Sequence, residues 1–364
     1  MPNRFVSFLQ LARWTSVIVT LMYHVRFLLF VDYGDVHAKT ALSAAFYFLT
    51  GLGHESFAVF FVLDGIVTGR ALQRYPPGAA VARRVSALYR LLLPGLVIGA
   101  ICDVMGVRFL NGFGLYTAYP AFSTLTLGYA PLLGNLLMLQ PFFVPTFGSN
   151  GMLYLLSYLF WSLILLALCA RAAWRRRIVL LAAVVALAPS SFLAWAAIWL
   201  TGIAVVYAGA TRAARPPLPV AIAGVVGALL LSRFIGADAH LLPSPFGAWL
   251  IEWKYVFVGA SFAAVAWALY PIHPRHDGAV DAAVDGAAPQ TAAFTFFFHF
   301  PVMMLLAAAS STFLGQPLMQ QPAPARYGEF VILVAACVGM TVLAVRAGAS
   351  AMDAVAGRRP DIAA

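Results

Sequence analysis

The sequence predicts an all-α fold, a polytopic transmembrane helix bundle, and three observations carry that expectation. Hydrophobic residues make up 62% of the 364 and charged residues only 10%. Apolar runs of about 20 residues recur along the chain, the length that crosses a bilayer core as a helix. Basic residues gather beside those runs, at Arg70 to Arg90, at Arg171 to Arg177, at Arg212 and Arg215, and at Arg358 with Arg359, which marks cytoplasmic helix ends. Spans at 10–32, 48–68, 86–106, 149–170, 178–191, 192–210, 217–235, 247–269, 291–313 and 328–347 put every cluster inside, giving about ten helices with both termini cytoplasmic.

The first span follows directly on MPNRFVSFLQLAR with no small-residue cleavage site, so it reads as a retained helix rather than a removable signal peptide. The next two take in FFVLDG and the run after Arg83 and Arg84. Residues 107–148 hold Pro120, Pro131, Pro141, Pro145 and several glycines. One more complete crossing there would send Arg175, Arg176 and Arg177 outside. An extracytoplasmic or re-entrant excursion is expected instead, because broken backbone is tolerated at membrane depth only against protein or water. Segment 178–191 is short for a span. The acidic loop 271–290 reads as a polar cytoplasmic linker in which His273 and His276 are solvated rather than metal-binding. With no visible internal repeat, residues 1–350 form one transmembrane domain and 351–364 a short cytoplasmic tail.

A net charge of +10 says little about substrate. Of 23 basic residues only Lys39 and Lys254 are lysines, and many of the arginines lie in short loops, which indicates topology and contact with lipid headgroups rather than nucleic acid. Cys102, Cys169 and Cys337 are isolated in apolar runs, so they read as small buried side chains with no disulfide framework. The histidines are scattered and no paired-carboxylate cluster appears, so no metal site is expected. No feature sets an oligomeric state.

Four local patterns carry chemistry. In LARWTSVIVTLMYHV, Arg13 and His24 lie eleven positions apart, about three helical turns, so they share one face roughly 16 Å apart. An ionisable group at membrane depth costs several kcal/mol unless a partner or a water-lined cavity satisfies it, and that face reads as a functional channel. His24 suits general-base work because its ordinary pKa lies nearest neutrality; hydrogen bonding to a neighbouring helix is the plainer role. In GHESFAVFFVLDGIVTGR, residues 53–70, His54 and Glu55 stand at the outer end and Arg70 at the inner, and an ordinary span leaves Asp64 unexplained. In SNGMLYLLSYLFWSLILL, residues 149–166, the polar positions are Asn150, Ser157 and Tyr158. In FFFHFPVMML, residues 296–305, His299 stands two residues before Pro301; a lone intramembrane histidine also serves as a packing donor.

Together these segments resemble the acyltransferase-3 family of integral membrane O-acyltransferases, in order along nearly the whole chain. The family's opening arginine and later Tyr-His pair correspond to Arg13, Tyr23 and His24. Its Phe-Phe-Val-Leu-Ser-Gly pattern and following arginine correspond to Phe60, Phe61, Val62, Leu63, Asp64, Gly65 and Arg70, and the basic run before the third helix to Arg83, Arg84 and Tyr89. The Asn-Gly, Leu, Ser-Tyr pattern corresponds to Asn150, Gly151, Leu156, Ser157 and Tyr158, and the late His-Phe-Pro to His299, Phe300 and Pro301. Three polar positions depart: Asp64 replaces a serine, Leu159 an acidic residue, and Phe296 a tyrosine.

The resemblance implies transfer of an acyl group, most simply acetyl, from cytoplasmic acyl-CoA to a hydroxyl of an extracytoplasmic or lipid-linked glycan, in a bacterial inner membrane. Acyl-CoA is then the donor substrate and no cofactor is bound. It casts His24, Asp64 and His299 as catalytic, His24 acting as general base or as transient acyl carrier. Arg13, Tyr23, Arg70, Arg83, Arg84, Asn150, Ser157 and Tyr158 become the substrate and acyl-CoA residues, the arginines suiting phosphates. Asp64 is read as compensating for the carboxylate missing at Leu159. The alternative is a catalytically degenerate partner in glycan assembly, or a small-molecule carrier.

Overall fold

The computed structural model describes residues 4–117, 126–211, 214–238, 246–271 and 287–356. His273, His276, Arg212, Arg358 and Arg359 lie outside the described residues. The helices are α1 Arg4–Leu29, α2 Ala41–Thr50, α3 Gly53–Arg74, α4 Pro77–Phe109, α5 Tyr129–Leu136, α6 Leu153–Arg171, α7 Trp174–Leu187, α8 Ser190–Gly209, α9 Leu218–Asp238, α10 Phe246–Leu269, α11 Ala287–Leu314 and α12 Pro324–Ala356. Residues 351–356, read from sequence as tail, continue α12. Among the described residues, nine helices are long and apolar enough to cross a membrane, with Ala41–Arg74 counted as one. The chain is a multi-pass integral membrane protein.

The helix missing from those nine still carries the chain across. α7 has 14 residues, about 21 Å of helix against a core of about 30 Å. Yet the Tyr158 hydroxyl near the start of α6 lies 2.9 Å from that of Ser191 at the start of α8. Both helices therefore begin at one level, and α7 must bring the chain back between them. Its first turn holds Arg175, Arg176 and Arg177, whose long stems reach the interface. Among the described residues, ten traverses result. α1 and α11 run parallel, since His24 meets His299 and the backbone N–H of Gln320 beyond α11 donates to Leu29 O at 2.8 Å. α12 returns past Phe30 and His299, so both described ends of the chain lie at one end of the bundle. That end is the basic one: Arg171 approaches Gly78, and Arg215 hydrogen-bonds the carbonyl of Tyr270, whose ring packs on Phe5. The positive-inside rule makes it cytoplasmic.

The tightest crossing joins α3 to α8. Gly65 and Gly69 form a small-xxx-small stripe, and a Cβ at Gly65 would lie 2.1 Å from the Trp199 carbonyl, just as one at Gly202 would lie 2.1 Å from that of Val62. Backbones come this close in membranes because lipid offers no hydrophobic drive, so packing decides association.

Residues 126–148 dip back into the bundle rather than crossing it. Ser149 hydrogen-bonds Asp103 near the outer end of α4, whereas Leu136 O accepts from the Tyr89 hydroxyl at 2.9 Å, fourteen residues and about 21 Å deeper along the same helix. The irregular backbone at that depth is satisfied by buried side chains. Asn135 Nδ2 donates to the carbonyls of Pro131 and Pro145 at 2.7 and 2.9 Å, and Met138 O accepts from Ser157 at 2.5 Å and Trp161 at 2.7 Å. Re-entrant backbone survives at membrane depth on this condition.

Two outcomes test the fold. In a background with Cys102, Cys169 and Cys337 replaced by serine, Arg175→Cys should react with a membrane-impermeant maleimide only from the cytoplasm and Gly112→Cys only from outside; the reverse pattern would overturn the ten-traverse topology. Gly65→Val should cost about 1–3 kcal/mol by overpacking, read as a lowered melting temperature in detergent, because the obstructing atom is backbone.

Candidate functional site

One face of α1 carries Arg13, Ser16, Thr20 and His24, all buried. These spacings stack side chains along a helix. Ser16 Oγ donates to Ser56 O of α3 at 3.1 Å, and Thr20 Oγ1 lies 2.7 Å from Ser56 Oγ. The stripe therefore docks α1 on α3 and places Arg13 and His24 at different depths.

The inner cluster borders a cavity of about 570 Å³ near the cytoplasmic end, lined by Arg13, Asp64, Arg84 and Arg90 among apolar walls that include Phe60 and Phe297. Asp64 forms an ion pair with Arg84 and accepts a 3.0 Å hydrogen bond from Trp199 Nε1. Arg84 Nε also donates to Thr68 Oγ1 at 3.3 Å, and Arg13 is within electrostatic range of Asp64. A carboxylate and a guanidinium at membrane depth satisfy one another, which gives Asp64 its reason. Leu159 lies elsewhere. Its neighbour Tyr158 is level with Ser191, eight residues before Trp199 on α8, so Asp64 stands about 12 Å deeper than the position of the missing carboxylate.

The outer cluster centres on two histidines from opposite ends of the chain. His24 Nδ1 lies 2.9 Å from His299 Nε2, with His24 9% and His299 0% exposed. His299 Nδ1 faces the carbonyls of Thr295 and Phe296 at 3.1 and 2.9 Å. Carbonyls only accept, so His299 Nδ1 carries a hydrogen and, in the neutral ring, its Nε2 is a lone pair. His24 must then donate from Nδ1. Its own Nε2 is left as the proton acceptor. The chain of partners fixes ring orientation as well as tautomer, as the orienting group of a catalytic base does.

Aromatic rings fill the space between the clusters. Phe60, a cavity wall, stacks on Phe296 at 3.9 Å and 3°, Phe296 meets Phe57 edge-on at 5.7 Å, and Phe57 stacks on His24 at 6.1 Å. The face joining Arg13 to His24 is packed in this conformation rather than an open channel. Phe296, at the position of the family's tyrosine, belongs to that barrier.

The remaining sequence-predicted residues fall outside both clusters or at their edge. Tyr23 meets His24 edge-on at 5.0 Å and His54 at 5.4 Å. Arg70 is buried without lining the cavity, and Arg83 is exposed with its guanidinium 4.4 Å from the centre of the Tyr75 ring. Asn150 Oδ1 accepts from Met152 N at 3.2 Å in the turn before α6; Ser157 and Tyr158 brace the re-entrant segment and α8. Sequence reasoning gave no site role to three charged groups, Arg90, Glu55 and Lys254. Arg90 borders the cavity. Ser232 Oγ donates to Glu55 Oε1 at 2.6 Å while Lys254 Nζ donates to Ser232 O at 2.9 Å, a buried relay that links α3, α9 and α10. Lys254 carried a usable signal, a lysine inside the apolar run WLIEWKYVFVG. Among the described residues no group of three or more His, Cys, Asp or Glu side chains is placed to hold a metal ion.

No family profile, curated protein or solved structure matches the chain.

The Asp64–Arg84 pair makes a prediction about stability. Asp64→Ala, which strands Arg84 beside Arg13, should cost about 3 kcal/mol, and Asp64→Ala/Arg84→Met should recover most of the loss. A double variant that melts as low as the single would show that the ion pair is not what holds the two side chains.

Proposed function

We propose that the chain is a membrane O-acyltransferase that carries an acyl group, acetyl in the simplest case, from cytoplasmic acyl-CoA to a hydroxyl on an envelope glycan or lipid-linked sugar. One observation carries the reading: two histidines 275 residues apart, each taken from a separate motif of the family resemblance, share a hydrogen bond that leaves His24 Nε2 as base. Five motifs in register support it.

The donor binds from the basic side. Arg13 and Arg90 face the inner cavity, Arg84 does so while paired to Asp64, and guanidinium groups suit the phosphates of coenzyme A. The apolar walls suit the pantetheine arm. Rotation of Phe60 and Phe296 opens the way for the thioester to reach His24. There the acceptor hydroxyl attacks the thioester carbonyl as His24 Nε2 takes its proton; the C–O bond forms, the C–S bond breaks, and the thiolate leaves with the proton returned by His24. His299 touches neither reactant in this scheme and acts by holding the His24 ring. On this reading the protein works in a bacterial inner membrane.

Purified protein given labelled acetyl-CoA and an envelope glycan fraction should build up alkali-labile label, the mark of an O-acetyl ester. His24→Ala should abolish it while insertion is retained, since a small uncharged residue enters a membrane more easily than histidine. His299→Ala should lower kcat about 100-fold with little change in KM, and His299→Gln, whose carbonyl still accepts from His24 Nδ1, should restore part of it. Wild-type turnover in His24→Ala would remove the histidine from the mechanism.

A further inference from the structure

A second pocket opens at the outer end, on the far side of Tyr23 from His24. It encloses about 340 Å³ between the end of α1, α2 and α9, and its lining includes Arg26, Arg233, Asp32, Tyr23, Tyr33 and Tyr47. Arg26 is only 8% exposed. Among the described residues its side chain makes no hydrogen bond or ion pair, its Nε is buried without a partner, and its guanidinium rests 5.7 and 5.2 Å from the ring centres of Tyr23 and Tyr47. Arg233 donates once, to Gly51 O at 3.1 Å. Two guanidinium groups thus meet one lining carboxylate, Asp32. The nearby Glu55 is already held by Ser232, with Lys254 one bond further on.

A guanidinium withdrawn from water with a donor unsatisfied is costly, and an oxyanion is the ligand that relieves it. The tyrosines add flat rings with hydroxyl groups at their tips, the combination that packs against an amphipathic ligand and still hydrogen-bonds. Oxyanion and ring acceptor together describe a sugar joined to a phosphate. Tyr23 belongs both to this pocket and to the shell of His24, so a molecule seated here lies one ring from the base.

We infer that the outer pocket holds the acceptor as a glycosyl phosphate, its phosphate on Arg26 and Arg233 and its sugar against Tyr33 and Tyr23. The fate of the bound sugar rests on the acyl-transfer reading; its binding does not.

The test is equilibrium binding to the full chain in a neutral detergent, with decyl glucosyl phosphate, decyl phosphate and decyl glucoside as probes and phosphatidylglycerol as competitor. Decyl glucosyl phosphate should bind about tenfold or more tighter than either of the other two. Arg26→Gln and Arg233→Gln should each weaken both phosphate probes about tenfold, the loss of one charge-assisted contact, and leave decyl glucoside unchanged. Tyr33 is 37% exposed, so Tyr33→Ala spares the core, and it should weaken the glucosyl phosphate but not decyl phosphate. Equal binding by wild type and Arg233→Gln overturns the site. Phosphatidylglycerol competing as well as the glucosyl phosphate, with no effect of Tyr33→Ala, makes this a lipid headgroup site and overturns the acceptor assignment. Binding as expected in a protein that never transfers acetyl leaves the pocket standing and removes the acyl-transfer reading, whereas transfer without arginine-dependent binding does the reverse.

Discussion

The polar stripe of α1 is the constraint on which the other placements depend. Arg13, Ser16, Thr20 and His24 lie on a helix that must cross the bilayer, and the two ionisable ones, Arg13 and His24, cannot face lipid without a large cost. Ser56 of α3 takes the middle of the stripe and His299 of α11 takes its outer end. α1 is therefore held inside the bundle between those two helices. The same requirement seats α4, whose Arg84 answers Asp64, and Gly95 of α4 leaves the space that the Phe298 ring fills beside His299. Satisfying polar groups and assembling the site are one process here.

The two clusters lie at different depths because α1 is one continuous helix and Arg13 and His24 on it are three turns apart. That spacing separates the arginine-lined inner cavity from the outer histidine pair, as the proposed donor and acceptor sides require. The rings of Phe60, Phe296 and Phe57 between them keep water from joining the two sides. In the proposed acyl transfer a thioester meeting water at the base would be hydrolysed, so a packed ring barrier between the two sides suits that chemistry.

Much of the fold was legible in the sequence, because hydropathy and arginine placement are strong signals when every backbone group must be satisfied internally. Even α7 was foreshadowed, since only a return crossing keeps Arg175 to Arg177 on the basic side, although its bounds fall four residues earlier than the sequence suggested. The excursion after α4 could be expected to avoid crossing. Its depth could not, because Tyr89, Asn135 and Trp161 reveal their role only when the segments meet. The pairing of His24 with His299 was equally out of reach, as nothing local links residues on α1 and α11. The arginines misled in part. Arg70 and Arg83 read like Arg13 and Arg84 from sequence, yet neither lines the cavity: Arg70 lies a turn beyond Val67 on the same face of α3, and Arg83 rests on the Tyr75 ring.

The central claim is that a donor on the basic side meets an acceptor from the other side at His24. Reconstitution in proteoliposomes of known orientation, with labelled acetyl-CoA confined to one face and decyl glucosyl phosphate to the other, tests it most directly. Label should reach the sugar only when acetyl-CoA is on the face bearing Arg175 and the sugar opposite. Transfer with both on one face, or with the arrangement reversed, would contradict the account.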